Sequence, residues 1–378
     1  MKAQANTQAV GGSGPSSINK ERRGRVLATV LVVLTLLLAA CTSTLQQAPA
    51  TSPALLSDAD IDAAALELAT TTAEVTGTEL GSLADGTESD LLEAEEEELS
   101  TQAVLPGASG YIAYVHFDGL TAKFQLWLAN QSNDKKTLVY TGNRYINSVA
   151  VSLTGNILVF SMNTATGCCD IYRLIVSSNK LSNLTNSPAL NHINVSMTAD
   201  DKTIAWGGTH NGKHVVYIRT YERSGSSQSM LSASAQQTEP SISSDGKTIA
   251  LMRFSSGKYR VMRYDRQKKT YLQVATSSNP LLHPSPSNNG KLAWLENRAH
   301  LGLTNRVRVK TIATGAITNA LSTSSYIAHP HLASDGNFIV YDRYQNSKYN
   351  IFTRNLSTGK TARTVSASHW FDGAYWQK

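Results

Sequence analysis

Pro240-Ser241-Ile242-Ser243-Ser244-Asp245-Gly246-Lys247-Thr248-Ile249-Ala250-Leu251-Met252 decides the fold, because weakened copies of it recur along the chain about 45 residues apart. With Gly246 as the ruler, the matching turn positions are Gly155, Asp201, Gly246, Gly290 and Gly336, at steps of 46, 45, 44 and 46 residues. A period in this range, built from short alternating strands and Gly/Asp turns, is the signature of β-propeller blades. After each turn comes an apolar strand, as at 156–161, 202–206, 291–294 and 337–341, which reads as buried on both faces. A second alternating strand follows at 170–174, 215–218, 259–262, 306–309 and 349–352. The third is more polar, at 180–185, 271–274 and 361–365, as suits an outer edge.

Five full units leave two loose ends that complement each other. Residues 110–142 supply three strands, but nothing before Gly110 has the inner-strand pattern. The tail Gly373-Ala-Tyr-Trp-Gln377 does have it, with Trp376 where Ile242 sits. The expected fold is all-β: a six-bladed propeller whose ring is closed by pairing of N- and C-terminal strands, which removes exposed sheet edges.

Pro240-Ser-Ile-Ser-Ser-Asp-Gly246 and Pro330-His-Leu-Ala-Ser-Asp-Gly336 resemble the repeat of TolB-like periplasmic propellers, roughly Pro-x-Trp-Ser-Pro-Asp-Gly-x-x-Ile-Ala. The resemblance covers about residues 106–378. Thr154-Gly155 and Asp200-Asp201 depart from the Asp-Gly pair, and the helical domain that precedes the TolB propeller has no clear counterpart. The resemblance therefore implies the fold and leaves the TolB role open.

Ahead of the repeats lies a targeting segment, basic Lys20-Glu-Arg-Arg-Gly-Arg25 followed by the mostly apolar run Val26–Ala40. Such a run falls short of the roughly 20 residues that span a bilayer and suits a signal peptide over residues 1–40. An uncleaved anchor helix is the competing reading, and Leu38-Ala39-Ala40-Cys41 argues against it. These residues are similar to the lipobox of bacterial lipoproteins, which implies lipidation of Cys41 and a mature chain beginning there. Thr42 is not the Asp that favours inner-membrane retention in some bacteria, so the expected address is extracytoplasmic, on the outer membrane or cell surface. The membrane, reached through the N-terminal lipid, is the first expected partner.

Residues 42–105 contain 14 Asp and Glu and no Lys or Arg, including Glu95 to Glu98. Residues 41–105 read as a solvated acidic tether, with a small helical bundle as the alternative. Residues 106–378 hold 29 Lys and Arg against 13 Asp and Glu, so the +6 of the whole chain conceals opposed charges. A basic propeller could concentrate an anionic envelope glycan; equally, the charge could be neutralised by the tether or serve solubility. Nucleic acid is not an expected partner.

Cys168 and Cys169 are adjacent in an expected hairpin loop. Outside the cytoplasm thiols oxidise, and with Cys41 acylated the intramolecular option is a vicinal disulfide. Its eight-membered ring is strained, so free thiols, an intermolecular bridge and a metal site stay open.

The chain has no Gly-x-Ser-x-Gly elbow, no His-Glu-x-x-His and no phosphate-binding Gly-rich loop, and no cofactor is expected. One constellation could bind a ligand. The position seven before each turn begins the innermost strand and should face the channel, reading Ser148, Asn194, Glu239, His283, His329 and, in the tail, Gly373. Glu239, His283 and His329, from adjacent blades, make a candidate metal or small-ligand set, with His331 able to substitute. The competing reading is a water-filled polar channel. Tyr221, Tyr259, Tyr264, Tyr271, Tyr344 and Tyr349 are candidate contacts for a partner or candidate packing between blades. The expected function is a non-enzymatic envelope lipoprotein presenting a platform to another envelope protein. Glycan binding is the alternative, and a metal-dependent hydrolase the least favoured.

Overall fold

In the computed structural model the described residues are 104–165, 169–187, 190–222, 225–231, 236–298, 304–345, 348–366 and the strand 371–377. They form six four-stranded antiparallel sheets, and strand order follows the chain in five of them. We name these blades one to five, after the turns at Gly155, Asp201, Gly246, Gly290 and Gly336. The sixth sheet is the closing blade: Phe371–Gln377 is innermost, followed by Tyr111–Asp118, Lys123–Asn130 and Lys136–Gly142. Tyr111 pairs with Gln377 and Ile112 with Trp376, so the chain's two ends share one sheet and the ring is closed as the repeat count predicted.

The core lies between blades. The residue five beyond the turn faces a cross-strand partner, and in three blades both are aromatic and stacked: Phe160 on Tyr172, Trp206 on Tyr217 and Tyr341 on Phe352, at ring separations of 6.0, 5.6 and 5.7 Å. Blades three and four put Leu251 opposite Met262 and Leu295 opposite Val307. Trp206, Phe160, Tyr341 and Phe352 are fully buried, and truncating one such ring to Ala costs about 3–5 kcal/mol.

The repeated turn explains itself locally. Gly155, Asp201, Gly246, Gly290 and Gly336 all have left-handed backbone, with φ between 57° and 80°, which glycine adopts without strain. In blades one to four the hydroxyl three positions earlier accepts an N–H from across the turn, as from Thr248 to Ser243 Oγ at 3.0 Å and from Thr203 to Thr198 Oγ1 at 3.0 Å, and those of Ser243 and Thr198 donate to Asp245 and Asp200 at 2.7 Å, while blade five has Ala333 there. The Ser-x-Asp-Gly residues therefore build the turn. They also link blades: Leu153 N–H bonds Ala199 O, Ala199 N–H bonds Ser244 O, and Asn288 N–H bonds Ser334 O, while Asn288 Oδ1 accepts from Asp245 N–H.

One expectation needs correction. The outermost strand of blade five, Thr361–Ser366, is not a polar edge, since Thr361, Ala362, Thr364 and Val365 are buried. Ala362 and Val365 belong to an apolar cluster with Leu105, Ala108, Ile112 and Tyr114, so the entering chain and the closing blade cover this strand. The other outermost strands expose apolar residues, among them Leu138, Leu181, Leu272 and Ile317.

Candidate functional site

Each innermost strand runs towards its Ser-x-Asp-Gly turn, so those turns mark one face of the disc. The hairpins between second and third strands, and the crossovers between blades, lie on the other face. We call these the turn face and the loop face.

Five innermost strands break their ladder at the same place, the closing strand at Gly373-Ala374 and four others at positions whose backbone is described. Pairing skips Asn194-Val195, Glu239-Pro240, His283-Pro284 and His329-Pro330. The first residue of each pair is left-handed, with φ of 54°, 51°, 50° and 46°. Each is a bulge that re-aims a side chain, and a non-glycine residue held this way costs about 1–3 kcal/mol. Proline fits the second position because an unpaired residue needs no ladder donor. Repetition of the device in four blades indicates that the fold over-determines it.

These bulges line a cavity of about 90 Å³ on the propeller axis, whose polar groups include Ser148, Asn194, Glu239, His283, His329 and His331. Sequence spacing thus located five lining positions; Gly373 lies in the closing strand, where side chains are not described. Glu239 Oε2 accepts the backbone N–H of His283 and lies 3.7 Å from His283 Nδ1. The His283 and His329 rings are 4.4 Å apart. His329 Nδ1 is 2.7 Å from Asp342 Oδ2, and that carboxylate is only 2% exposed. Among the described residues, no three of His, Cys, Asp and Glu are arranged to hold a metal ion.

Burial dominates the electrostatics of this cluster. It raises the Glu239 pKa above the ordinary 4.5, outweighing the His283 N–H and the nearby His329. It holds His283 well below 6.5, with His329 adding to the effect, and pushes His331 down to about 3 against the Leu332 backbone hydrogen bond. The channel therefore favours neutral imidazoles at His283 and His331 beside a Glu239 carboxyl group that is reluctant to ionise, a set suited to hydrogen bonding.

Two contributors were not found from sequence. Asp342, on the second strand of blade five, orients His329 from behind. Ser241 fills a hydrogen-bonding position between blades: Ser196 Oγ accepts from Ile242 N–H and Ser285 Oγ from Leu332 N–H, each at 2.9 Å. The residue corresponding to Ile242 in the next blade is Pro286, which has no N–H, and the buried Ser241 Oγ has no hydrogen-bond partner among the described residues. Three Xaa-Pro pairs at the channel position were the sequence signal for the bulges.

The structure sorts the tyrosines. Tyr221 lies under Arg173 and Arg219, with its hydroxyl shielded from solvent. Tyr264 and Tyr271 pack together at 4.8 Å against a buried cluster. At the loop-face hairpins, by contrast, Phe254 pairs with Tyr259 and Tyr344 with Tyr349, both at 4.8 Å. Phe254, Tyr344 and Tyr326 are 42%, 42% and 55% exposed on that face.

Cys41 and Cys168 lie outside the described residues, as do residues 42–103 of the tether. Cys169 is buried, and its Sγ donates to Asn163 Oδ1 at 2.9 Å.

A closed six-bladed propeller with a strained, polar axial cavity defines the class of protein. The TolB beta propeller domain matches residues 81–300, more than half the chain, and the chain belongs to that family. No curated protein sequence matches it. Among solved structures it is similar to TolB from Acinetobacter baumannii, with 17% identity and a TM-score of 0.61 over 71% of this chain and 67% of that one. A protein from Agrobacterium tumefaciens assigned to TolB gives 11% and 0.53 over 68% and 89%. A nidogen/laminin complex gives 9% and 0.53 over 70% and 97%. At these identities the likeness concerns the fold alone.

Proposed function

We propose that this chain is a non-enzymatic envelope lipoprotein, anchored through Cys41, whose loop face is a docking platform for another envelope protein. The observation that supports this most is the exposure of Phe254, Tyr326 and Tyr344 on one face, which also carries the half-buried Arg253, Arg260 and Arg298. Aromatic residues and arginine dominate binding energy where proteins meet. Family membership supports the same reading, because propellers of this kind present loops on a rigid ring. A channel metal has no three-residue ligand group behind it among the described residues. The excess of basic residues favours a second reading, capture of an anionic glycan, which predicts retention that falls steeply with salt.

The test is crosslinking capture from intact cells with the full chain, with a Phe254→Ala/Tyr344→Ala variant and with Cys41→Ser. The platform reading expects a protein partner that both changes deplete, while the double variant keeps its thermal midpoint. A partner retained equally by the double variant would move the interface elsewhere. Recovery of no protein above the Cys41→Ser control would overturn the reading.

A further inference from the structure

We infer that the axial cavity is a receptor for a primary ammonium group, the head of a lysine side chain carried by a protein docked on the loop face. The partner rests on the platform reading; the chemistry of the cavity does not.

Depth and size restrict the ligand first. Asn194, His283 and His329 are each the third residue from the loop-face end of a six-residue strand, so they lie roughly 7 Å below that face. The side chains of Glu239, His283 and His329 are 17%, 25% and 29% exposed, so solvent reaches them. A volume of about 90 Å³ is well below the roughly 300 Å³ at which pockets for whole small molecules begin. The cavity is too small for a sugar ring or a nucleotide, and it suits a slender chain ending in one polar group.

Charge decides the sign of that group. Among the described residues no Lys or Arg lines the cavity, although residues 106–378 hold 29 Lys and Arg against 13 Asp and Glu. What the channel has instead are carboxyl groups from two blades, Glu239 at the wall and Asp342 behind His329. Each has one oxygen engaged, Glu239 Oε2 by the His283 N–H and Asp342 Oδ2 by His329 Nδ1. Asp342 Oδ1 is shielded from solvent and has no hydrogen-bond partner among the described residues. A buried carboxylate without a counter-charge is unfavourable, and an arriving cation offsets that penalty.

Geometry selects the kind of cation. Because His329 turns Nδ1 to the Asp342 carboxylate, the accepting nitrogen of its neutral ring is Nε2, and the centre of the His283 ring stands 4.4 Å from its own. Acceptors thus come from three adjacent blades: the Glu239 carboxyl from blade three, His283 from blade four and His329 from blade five. Three acceptors disposed around an axis match the three N–H donors of an ammonium, whereas the planar fork of arginine calls for acceptors in one plane. No three of these groups are arranged for a metal, but an ammonium is met at about 2.9 Å rather than the roughly 2.1 Å of coordination. Left-handed, non-glycine residues hold the side chains in place, and backbone strain of this kind recurs at ligand clamps. The four-carbon stem of lysine suits the depth. The two-carbon stem of an ethanolamine lipid headgroup does not, and its phosphate would approach Glu239.

The test is a titration of the full chain, with labelled histidine rings, followed by nuclear magnetic resonance. It needs no partner protein, so its failure is separable from failure of the platform reading. His283→Gln and His329→Gln assign the two ring signals. Nα-acetyl-lysine methylamide should move both signals saturably, in the millimolar range expected of a single side chain. Glu239→Gln, which keeps an acceptor for the His283 N–H, should weaken that binding about tenfold, the worth of one hydrogen bond to a charged group. Asp342→Asn should weaken it several-fold, and is the deciding variant if Glu239→Gln alters the thermal midpoint. Absence of any movement would leave a water-filled channel and overturn the proposal. So would an equal response to Nα-acetyl-norleucine methylamide, which lacks the ammonium, to the corresponding arginine compound, or to glycerophosphoethanolamine, the lipid headgroup. Binding undiminished in both variants would also overturn it.

Discussion

The two faces of this propeller are built from the same chain by opposite rules. On the turn face the hydroxyls of Thr198 and Ser243 and the carboxylates of Asp200 and Asp245 are used within their own turns, and neighbouring turns are tied by main-chain hydrogen bonds such as Leu153 to Ala199 and Ala199 to Ser244. On the loop face the rings of Phe254, Tyr326 and Tyr344 reach solvent, and the strands are bulged where they approach the axis. The linked turns hold the ring together, and the exposed rings of the other face stand clear of that work. The difference follows from topology: the turn face carries the repeat itself, while the loop face is made of crossovers that no repeat constrains.

The largest effect should come from breaking the ring. Deleting Phe371–Gln377 removes the innermost strand of the closing blade and exposes the edge of Tyr111–Asp118. Cooperative thermal unfolding, followed by circular dichroism, should be lost and aggregation should rise. A retained single transition would mean that the other five blades stand alone.

A graded effect is expected within the turn face. A Cβ on Gly336 would lie 2.6 Å from Asn289 Oδ1 of the preceding blade, whereas one on Gly290 would meet nothing within 4 Å. Both residues have positive φ. Gly290→Ala should cost about 1 kcal/mol from backbone strain alone, and Gly336→Ala about 2–3 kcal/mol, in urea titrations. Equal losses would show that blade-to-blade contact at the turn does not matter.

The smallest effect concerns the channel and depends on pH. The His331 pKa is depressed to about 3 in the fold against an ordinary 6.5, so the unfolded chain takes up the proton first. Stability is therefore present above about pH 6.5 and drains away as pH falls towards 3, by at most about 1.4 kcal/mol per unit. His283 acts in the same direction. Glu239 opposes them, because its raised pKa lets the folded state gain stability as pH falls through that value towards 4.5. His331→Gln should flatten the acid limb of the stability profile, and an unchanged slope would place the titrating burden elsewhere.

The sequence alone determined the number of blades, the closing role of the tail and the spacing of the channel positions, because each rests on periodicity and strand pairing, which are local or repeat every 45 residues or so. It also located Glu239, His283 and His329 on one ring of positions. Only the tertiary structure decided what those positions become. The ladder breaks at Glu239-Pro240, His283-Pro284 and His329-Pro330, as it does at Asn194-Val195 without a proline, while Asp342 reaches His329 from another strand. Pro286 cannot give Ser241 the N–H that Ile242 gives Ser196, a relation between blades that no single repeat records. The division of tyrosines into packed and exposed sets was equally hidden, since a blade strand has the same alternation whether its neighbour covers it or water does.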